Sequence, residues 1–503
     1  MKKQLRSIYL VLSLLLVMNL LSPVAFVSTS PNSAKAHALL IAAAPEEWVQ
    51  IIVQFQPGAK NTEQLIQAYG GKLLDTLSII NAATVWMPAG QAVRLSTHRS
   101  VKWVSPDAPV ESTACPQCVD TSKLANAYID AINANDIWNE SPYIQGKNIG
   151  IAVIDSGVNP NGDLYTQMGV NRQIADVRFN SDYNQSTSDG YGHGTHVASI
   201  LAGDGSESNG KYIGVAPMAN IINVKVSNDN GSARMTDIVK GLEWVLNNKG
   251  RHQIRVVNIS LNSTVAESYH TSPLDAAVEI LWFNGIVVVV SAGNYGSGAI
   301  YPPANDPFVI TVGATDDRGT GSIADDTLAS FSAYGTTEAG ATKPEIVAPG
   351  RNITARLVNM NMGLPAAHKA NIVNGQYFRM SGTSMAAPMV SGAVAMLLQD
   401  EPNLTPDQVK YRLMATANQS WPGYNPARAG AGYLDVYALV KGNSNQTANT
   451  GLLPSGLLTT GANPIAFGSV GWNSVGWNSV GWNSVGWNSV GWNSVGWNSD
   501  YWE

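Results

Sequence analysis

Charged side chains are scarce in this 503-residue chain, where Asp, Glu, Lys and Arg make up only 13% of the residues, against roughly 25% in an average soluble domain. The charge nearly cancels, with 30 basic against 36 acidic residues for a net −6. A basic surface for nucleic acid or anionic lipid is thereby excluded. Cysteine is almost missing too. The two present, Cys115 and Cys118, form a C-x-x-C. A zinc site would need further ligands that no second Cys pair supplies, and a redox motif would need a thioredoxin-like context; a local disulfide or two thiols are left. Long apolar runs are confined to the amino terminus. Lys2, Lys3 and Arg6 precede an apolar run from Ile8 to Leu21, and Ala34-Lys35-Ala36 follows. That run falls short of the roughly 20 residues of a membrane span and reads as a secretory signal over residues 1–36. A secreted, extracellular or cell-surface protein without a membrane span in its mature form is expected.

What is abundant is small and neutral, with 47 glycines among the commonest residues. From Trp48 the pattern is legible element by element. Val49, Ile51, Val53 and Phe55 alternate with polar residues as a strand, and Pro57-Gly58 ends it. Asn61 with Gln64 three residues on predicts a capped helix to Tyr69. Strands Lys72 to Ile80 and Ala82 to Met87, a helix Gln91 to Thr97 and a strand Val101 to Val104 complete the order βαββαβ, which is ferredoxin-like. This small α+β domain occupies 37–111, and a linker rich in Pro, Ser, Thr and Asp carries it to residue 123.

Between residues 124 and 441, β-branched runs alternate with amphipathic helices, the pattern of an α/β domain whose parallel sheet is covered by helices on both faces. Ile149 to Ile154, Ile221 to Val226, Val256 to Leu261 and Ile286 to Val290 are the clearest strands. Thr236 to Asn248 is a helix with one apolar stripe. Ser272-Pro273 and Thr405-Pro406 open two more, Gln408 completing a capping box in the second. Residues 442–468 read as a Gly, Ser, Asn and Thr-rich linker. Over 469–503, Ser-Val-Gly-Trp-Asn occurs six times, and half of the 14 tryptophans sit in this tail. A five-residue period makes no single apolar stripe in either helix or strand.

Three blocks carry chemistry. The strand ending at Ile154 runs into Asp155-Ser156-Gly157, at the carboxyl edge where α/β sheets place their sites. Gly192-His193-Gly194-Thr195-His196 opens a helix of small residues, and Ser381-Gly382-Thr383-Ser384 opens another, with Pro388 expected in its first turn. A serine hydroxyl becomes nucleophilic when an imidazole takes its proton, and the imidazole needs a carboxylate to fix its tautomer; Ser384, His193 and Asp155 fit those roles. Helix N-terminal amides would stabilise an oxyanion, and Asn294, after Ser291-Ala292-Gly293, is placed to add a side-chain donor. Taken singly, an Asp after a strand, a His before a helix or a Ser near a helix start is usually structural. Their concurrence carries the functional reading, and His196 is the contrast, a packed helix residue.

These blocks resemble those of the subtilisin-like serine proteases, in the family's order Asp, His, Ser. The matched runs are Val153 to Gly157, Gly192 to Ala198 and Gly382 to Pro388, with Asn294 as the family's oxyanion asparagine, and the likeness extends from about Lys123 to Val440. It implies a subtilisin-like catalytic domain over 124–441, preceded by an inhibitory propeptide that acts on its own enzyme. It further implies hydrolysis of polypeptide substrates through an acyl-enzyme, and self-processing of a zymogen. Substrate would lie as an extended strand between Gly231-Ser232-Ala233 and Ser260-Leu261. The family follows that Ser-Leu with two glycines, whereas this chain has Asn262-Ser263, whose side chains are expected to crowd the primary pocket; Pro303 is a second departure. Asp163 matches an aspartate that binds calcium in many relatives, although the loop 204–211 lacks their ligand pattern. A structural calcium is thus a secondary expectation, and no cofactor is required for the chemistry. The competing class is a surface-binding protein that uses the protease fold as a scaffold, with the tail's tryptophans stacking on a cell-surface ligand.

Overall fold

The computed structural model describes residues 35–108, 118–166, 169–180, 186–298 and 300–458, together with Val495 and Gly496. Residues 1–34 of the expected signal segment 1–36, Cys115 and most of the repeat tail lie outside the described residues. The chain divides into two compact units at Ala114/Cys115.

The first unit opens with a short helix α1 (Ala38–Ala42) and then follows the expected order: β1 (Trp48–Phe55), α2 (Thr62–Ala68), β2 (Lys72–Leu77), β3 (Ala82–Pro88), α3 (Ala89–Ser96) and β4 (Val101–Pro106). The sheet order is β2-β3-β1-β4 with antiparallel neighbours throughout, the ferredoxin-like arrangement. Its separate core includes Ile51, Val53, Val85, Met87, Leu95 and Val104. One local expectation fails: Asn61 adopts a left-handed conformation at φ 57° and makes no side-chain cap, a capping side chain being normally carried on extended backbone.

In the second unit an eight-stranded sheet is built from β5 (Gly150–Asp155), β6 (Gln173–Arg178), β7 (Asn220–Lys225), β9 (Ile254–Ile259), β11 (Val287–Ser291), β12 (Ile310–Asp316), β13 (Thr327–Leu328) and β14 (Ile346–Pro349); β8 (Ser232–Ala233) and β10 (Asn262–Ser263) lie outside it. All its pairings are parallel except β12 with β13. Every residue of β5 and β11 is buried, as strands covered on both faces must be. Helices α4 (His193–Ala202) and α7 (Thr383–Asp400) pack as one pair, α5 (Met235–Asn248) and α6 (Pro273–Phe283) as another. Ser272 caps α6 through the Asp275 amide, and α8 (Pro406–Ala415) has the capping box of Thr405 and Gln408.

Two boundaries differ from expectation. Residues 118–123 are tied to the second unit, where the amide and carbonyl of Val119 both bond the Asn139 side chain. After Gly442 the chain remains fastened to that unit through residue 458. The Ser444 carbonyl accepts from Arg412, Asn449 donates to Asp407 and to the Phe308 carbonyl, and the buried Ser455 amide donates to the Glu279 carboxylate at 2.7 and 3.0 Å. Small polar residues look like linker because their partners are remote in sequence. Cys118 is disulfide-bonded, and Cys115 is the only other cysteine in the chain.

The capping box yields a stability test. In a Ser384→Ala background, which prevents autolysis, Thr405→Ala is expected to lower unfolding free energy by about 1 kcal/mol, seen as a lower urea midpoint. An unchanged midpoint would show that α8 is held by packing alone.

Candidate active site

Asp155 ends β5, and its carboxylate is fully buried. His193 begins α4, with Nδ1 at 3.0 Å from Oδ1 and 3.1 Å from Oδ2 of Asp155. The glycines around this histidine have separate reasons. Gly192 caps the helix at φ 101°, a region that L side chains rarely adopt. A Cβ on Gly194 would lie 2.1 Å from the Gly157 carbonyl oxygen and 2.7 Å from the Asp155 carboxylate, so only glycine lets the helix start approach the strand end this closely.

Ser384 lies in the first turn of α7, where amides have no helical carbonyl to bond. Its hydroxyl donates to the Ser260 carbonyl at 3.2 Å, and the Ser260 hydroxyl donates to the Ser384 carbonyl at 3.1 Å. Pro388 explains the second bond. It stands in the second turn of α7 and not the first, so it lacks the N–H that would bond the carbonyl four residues back. That carbonyl belongs to Ser384. Asn258 donates to Ser260 Oγ at 2.9 Å and accepts from Ser391 Oγ at 2.9 Å, so a buried polar chain ties β9 to α7 on either side of Pro388.

Asn294 is aimed by Thr383, whose amide and hydroxyl both donate to Asn294 Oδ1 at 2.9 and 3.0 Å. With the oxygen so engaged, the amide nitrogen lies beside Gly382. The segments expected to line a substrate strand face one another as β8 and β10, neither belonging to the main sheet. Leu261 is buried in the core. Asn262 reaches across to the end of β11, where its Nδ2 donates to the Ser291 carbonyl at 2.9 Å. Ser263 does not intrude; its hydroxyl is turned along its own strand and bonds Val265.

Two carriers of the site had no signal in the sequence beyond an ordinary turn or strand residue, and a third lies inside the matched run Gly382 to Pro388 without a role assigned to it there. Asp189 accepts from the amides of Tyr191, Gly192 and Thr195 and from Ser156 Oγ, and so shapes the loop that presents His193. Burial pushes its carboxyl above the usual range, against the bonds from Gly192 and Thr195 that favour the charged form. Lys225, fully buried, donates to the carbonyls of Ser156 and Ser188 at 2.7 Å each and to Asp229 at 2.6 Å. Thr383 is the third, through Asn294.

His196 is fully buried, with Nε2 at 2.9 Å from the Phe378 carbonyl oxygen. Burial lowers its pKa to about 3, which fits a neutral packing role. Asp163 is a different matter from the calcium ligand considered above. Oδ1 accepts from the Glu207 amide at 2.8 Å and from Ser206, and Oδ2 from the Tyr377 hydroxyl at 2.7 Å. Both oxygens face N–H or O–H donors, an arrangement that does not fit a cation ligand. Among the described residues no three His, Cys, Asp or Glu side chains form a group able to hold a metal.

A buried Asp–His pair and a helix-initiating serine at the carboxyl edge of a parallel sheet are parts that α/β serine hydrolases have in common. Comparison with known proteins narrows the class. Residues 146–449 match the subtilase family model. The chain is 35% identical over 410 residues to serine protease AprX of Bacillus subtilis, covering 78% of this chain and 88% of that one. It is 34% identical over 274 residues to subtilisin Savinase of Lederbergia lenta, covering 54% and 85% respectively. Among solved structures, fervidolysin from Fervidobacterium pennivorans, described as a keratinolytic enzyme related to subtilisin, superposes with a TM-score of 0.50 at 26% identity. That match covers 79% of this chain and 61% of fervidolysin. The chain belongs to the subtilase family. It is a serine endopeptidase with the α/β subtilisin fold.

Asp189 is a positioning residue whose loss should be felt at His193. Asp189→Asn turns one acceptor into a donor facing amides, at a cost of about 1–3 kcal/mol. Steady-state kinetics on a peptide substrate should show kcat reduced about 10- to 100-fold with KM nearly constant. An unchanged kcat would mean that the loop keeps His193 in place without it.

Proposed function

We propose that this chain is made as a secreted zymogen and hydrolyses internal peptide bonds of polypeptides through Asp155, His193 and Ser384. The observation that carries the reading is the fully buried contact of His193 Nδ1 with the Asp155 carboxylate, 3.0 Å long. In that contact His193 keeps its Nδ1 proton toward Asp155, leaving Nε2 as the base. For catalysis the Ser384 hydroxyl gives up the Ser260 carbonyl and donates to Nε2 instead. As its proton passes to His193, Oγ attacks the substrate carbonyl carbon. The oxygen that becomes negative is met by the Ser384 amide and by Asn294 Nδ2. Removing one such side-chain donor costs about 10²- to 10³-fold in kcat, a magnitude known from subtilisin itself, a relative of this chain. His193 then gives its proton to the leaving amine, and water, activated by the same imidazole, releases the acyl group. Side chains and main chain handle every proton and charge in these steps, so no cofactor is called for.

Substrate would pair as a strand with β8 and β10, main-chain bonds giving affinity and side-chain pockets giving selectivity. Secretion is supported by the basic and apolar character of residues 1–36, and among the described residues no helix is long and apolar enough to cross a membrane. The first unit acts as propeptide and intramolecular inhibitor, a role supported by its ferredoxin-like fold and independent core. A tether role for the tail rests on its tryptophans, which lie outside the described residues.

Self-processing is tested by Ser384→Ala. Expressed in a host lacking other extracellular proteases, this variant should accumulate precursor that still carries residues 37–111, whereas the parent is shortened. Equal trimming of both would assign maturation to another enzyme.

The pocket is tested separately. Because Asn262 bridges to Ser291, its carboxamide narrows the space between β10 and the end of β11, so large aromatic residues on the acyl side of the cleaved bond should be disfavoured. Asn262→Gly should raise kcat/KM for Phe or Tyr there by about 10-fold, the worth of roughly 1.4 kcal/mol of relieved crowding. Library profiling in which the parent already prefers Phe and Tyr, and the variant changes nothing, would refute the idea.

A further inference from the structure

The groove between β8 and β10 contains a strand of the chain itself. Val495–Gly496, β15, is the central strand of a three-stranded sheet and pairs antiparallel with both edges. Val495 stands opposite Ala233 and Ser263, and Gly496 opposite Ser232 and Asn262. These two residues belong to the last of the six Ser-Val-Gly-Trp-Asn repeats. Their direction matters. From Val495 to Gly496 the partner changes from Ser263 to Asn262, so the strand advances toward Ser260, whose carbonyl accepts from Ser384. The direction from Val495 to Gly496 is thus that of a substrate whose carboxyl-terminal side leads to the nucleophile.

We propose that the pentapeptide repeat is an intramolecular occupant of the substrate groove and inhibits the enzyme competitively in cis. The proposal rests on the reading of β8 and β10 as the substrate site. Two short open edges offer main-chain donors and acceptors on both sides, and an added strand satisfies them. The repeat suits the position chemically. Valine favours extended backbone, and glycine passes between two flanking strands without a side chain. From residue 459 to 499 there is no charged side chain to bring into a desolvated groove. A free pentapeptide held mainly by backbone pairing would bind weakly, with Kd in the millimolar range, about −4 kcal/mol. Tethered through the Gly, Ser and Asn-rich stretch after residue 458, it works at an effective concentration also of about millimolar. The two are comparable, so the groove is filled for a substantial fraction of the time and yields to a better polypeptide.

The test compares the processed enzyme ending at Glu503 with one ending at residue 458, the last residue fastened to the second unit. On a short chromogenic peptide the shorter form should show an apparent KM about 2- to 10-fold lower at equal kcat. A synthetic peptide of two repeats should restore the higher KM when added to it. A full-length variant with Gly471, Gly476, Gly481, Gly486, Gly491 and Gly496 all replaced by proline keeps the tail's length and tryptophans but loses an N–H in each repeat; it should behave as the shorter form. Equal KM values in all three, with no competition at about 10 mM peptide, ten times the expected Kd, would overturn the proposal. If no form hydrolyses any peptide, the catalytic reading fails instead. The groove is then judged by fluorescence anisotropy of a labelled two-repeat peptide on the Ser384→Ala protein ending at 458, where saturable binding supports occupancy and its absence rejects it.

Discussion

The site depends on a carboxylate placed where water cannot reach it. Asp155 terminates a strand closed off on both faces, and an ion so buried costs several kcal/mol unless its surroundings replace the lost hydration. They do so with few parts. The Ser156 amide donates at 2.7 Å, its hydroxyl at 3.2 Å, and His193 lies along both oxygens. The Ser156 hydroxyl is shared with Asp189, which gathers the amides of the next loop. The backbone around His193 is therefore folded by the need to solvate two carboxylates, and the imidazole's orientation follows from that need.

The nucleophile is held by a different device. A proline in the second turn of α7 leaves one carbonyl without its helical donor, and the chain Ser391, Asn258, Ser260 supplies a replacement from β9. A helix defect is thus converted into a cross-link between helix and sheet at the residue that carries the reactive hydroxyl. Loss of any member leaves a buried polar atom unmatched, which costs more than the bond itself contributes.

Much of this was legible in the sequence, for reasons that can be named. β5, β7, β9 and β11 are runs of β-branched residues buried on both faces, and Ser272 and Thr405 cap helices through contacts three residues long. The four residues assigned to chemistry were found because their neighbours are small enough to let elements meet, as Gly194 is. What escaped has the opposite character. β6 lies at the sheet edge with an irregular burial pattern, and β14 has only four residues, ending in proline. Asp189 and Lys225 act through partners fixed by tertiary packing. The segment 443–458 has linker composition but is ordered by Asp407, Arg412 and Glu279, and the pairing of Val495–Gly496 depends on a groove made by residues more than two hundred positions away.

The sheet that β15 completes has an arithmetic of its own. Under the proposed restraint, six copies of one sequence would compete for a single slot, multiplying the occupied microstates by six, worth about 1.1 kcal/mol at tenfold per 1.4 kcal/mol. Deleting one copy shifts the balance by only about 0.1 kcal/mol on the same scale. Copy number is then a fine adjustment of enzyme restraint, one that unequal recombination within a repetitive gene can alter in either direction without touching the catalytic domain.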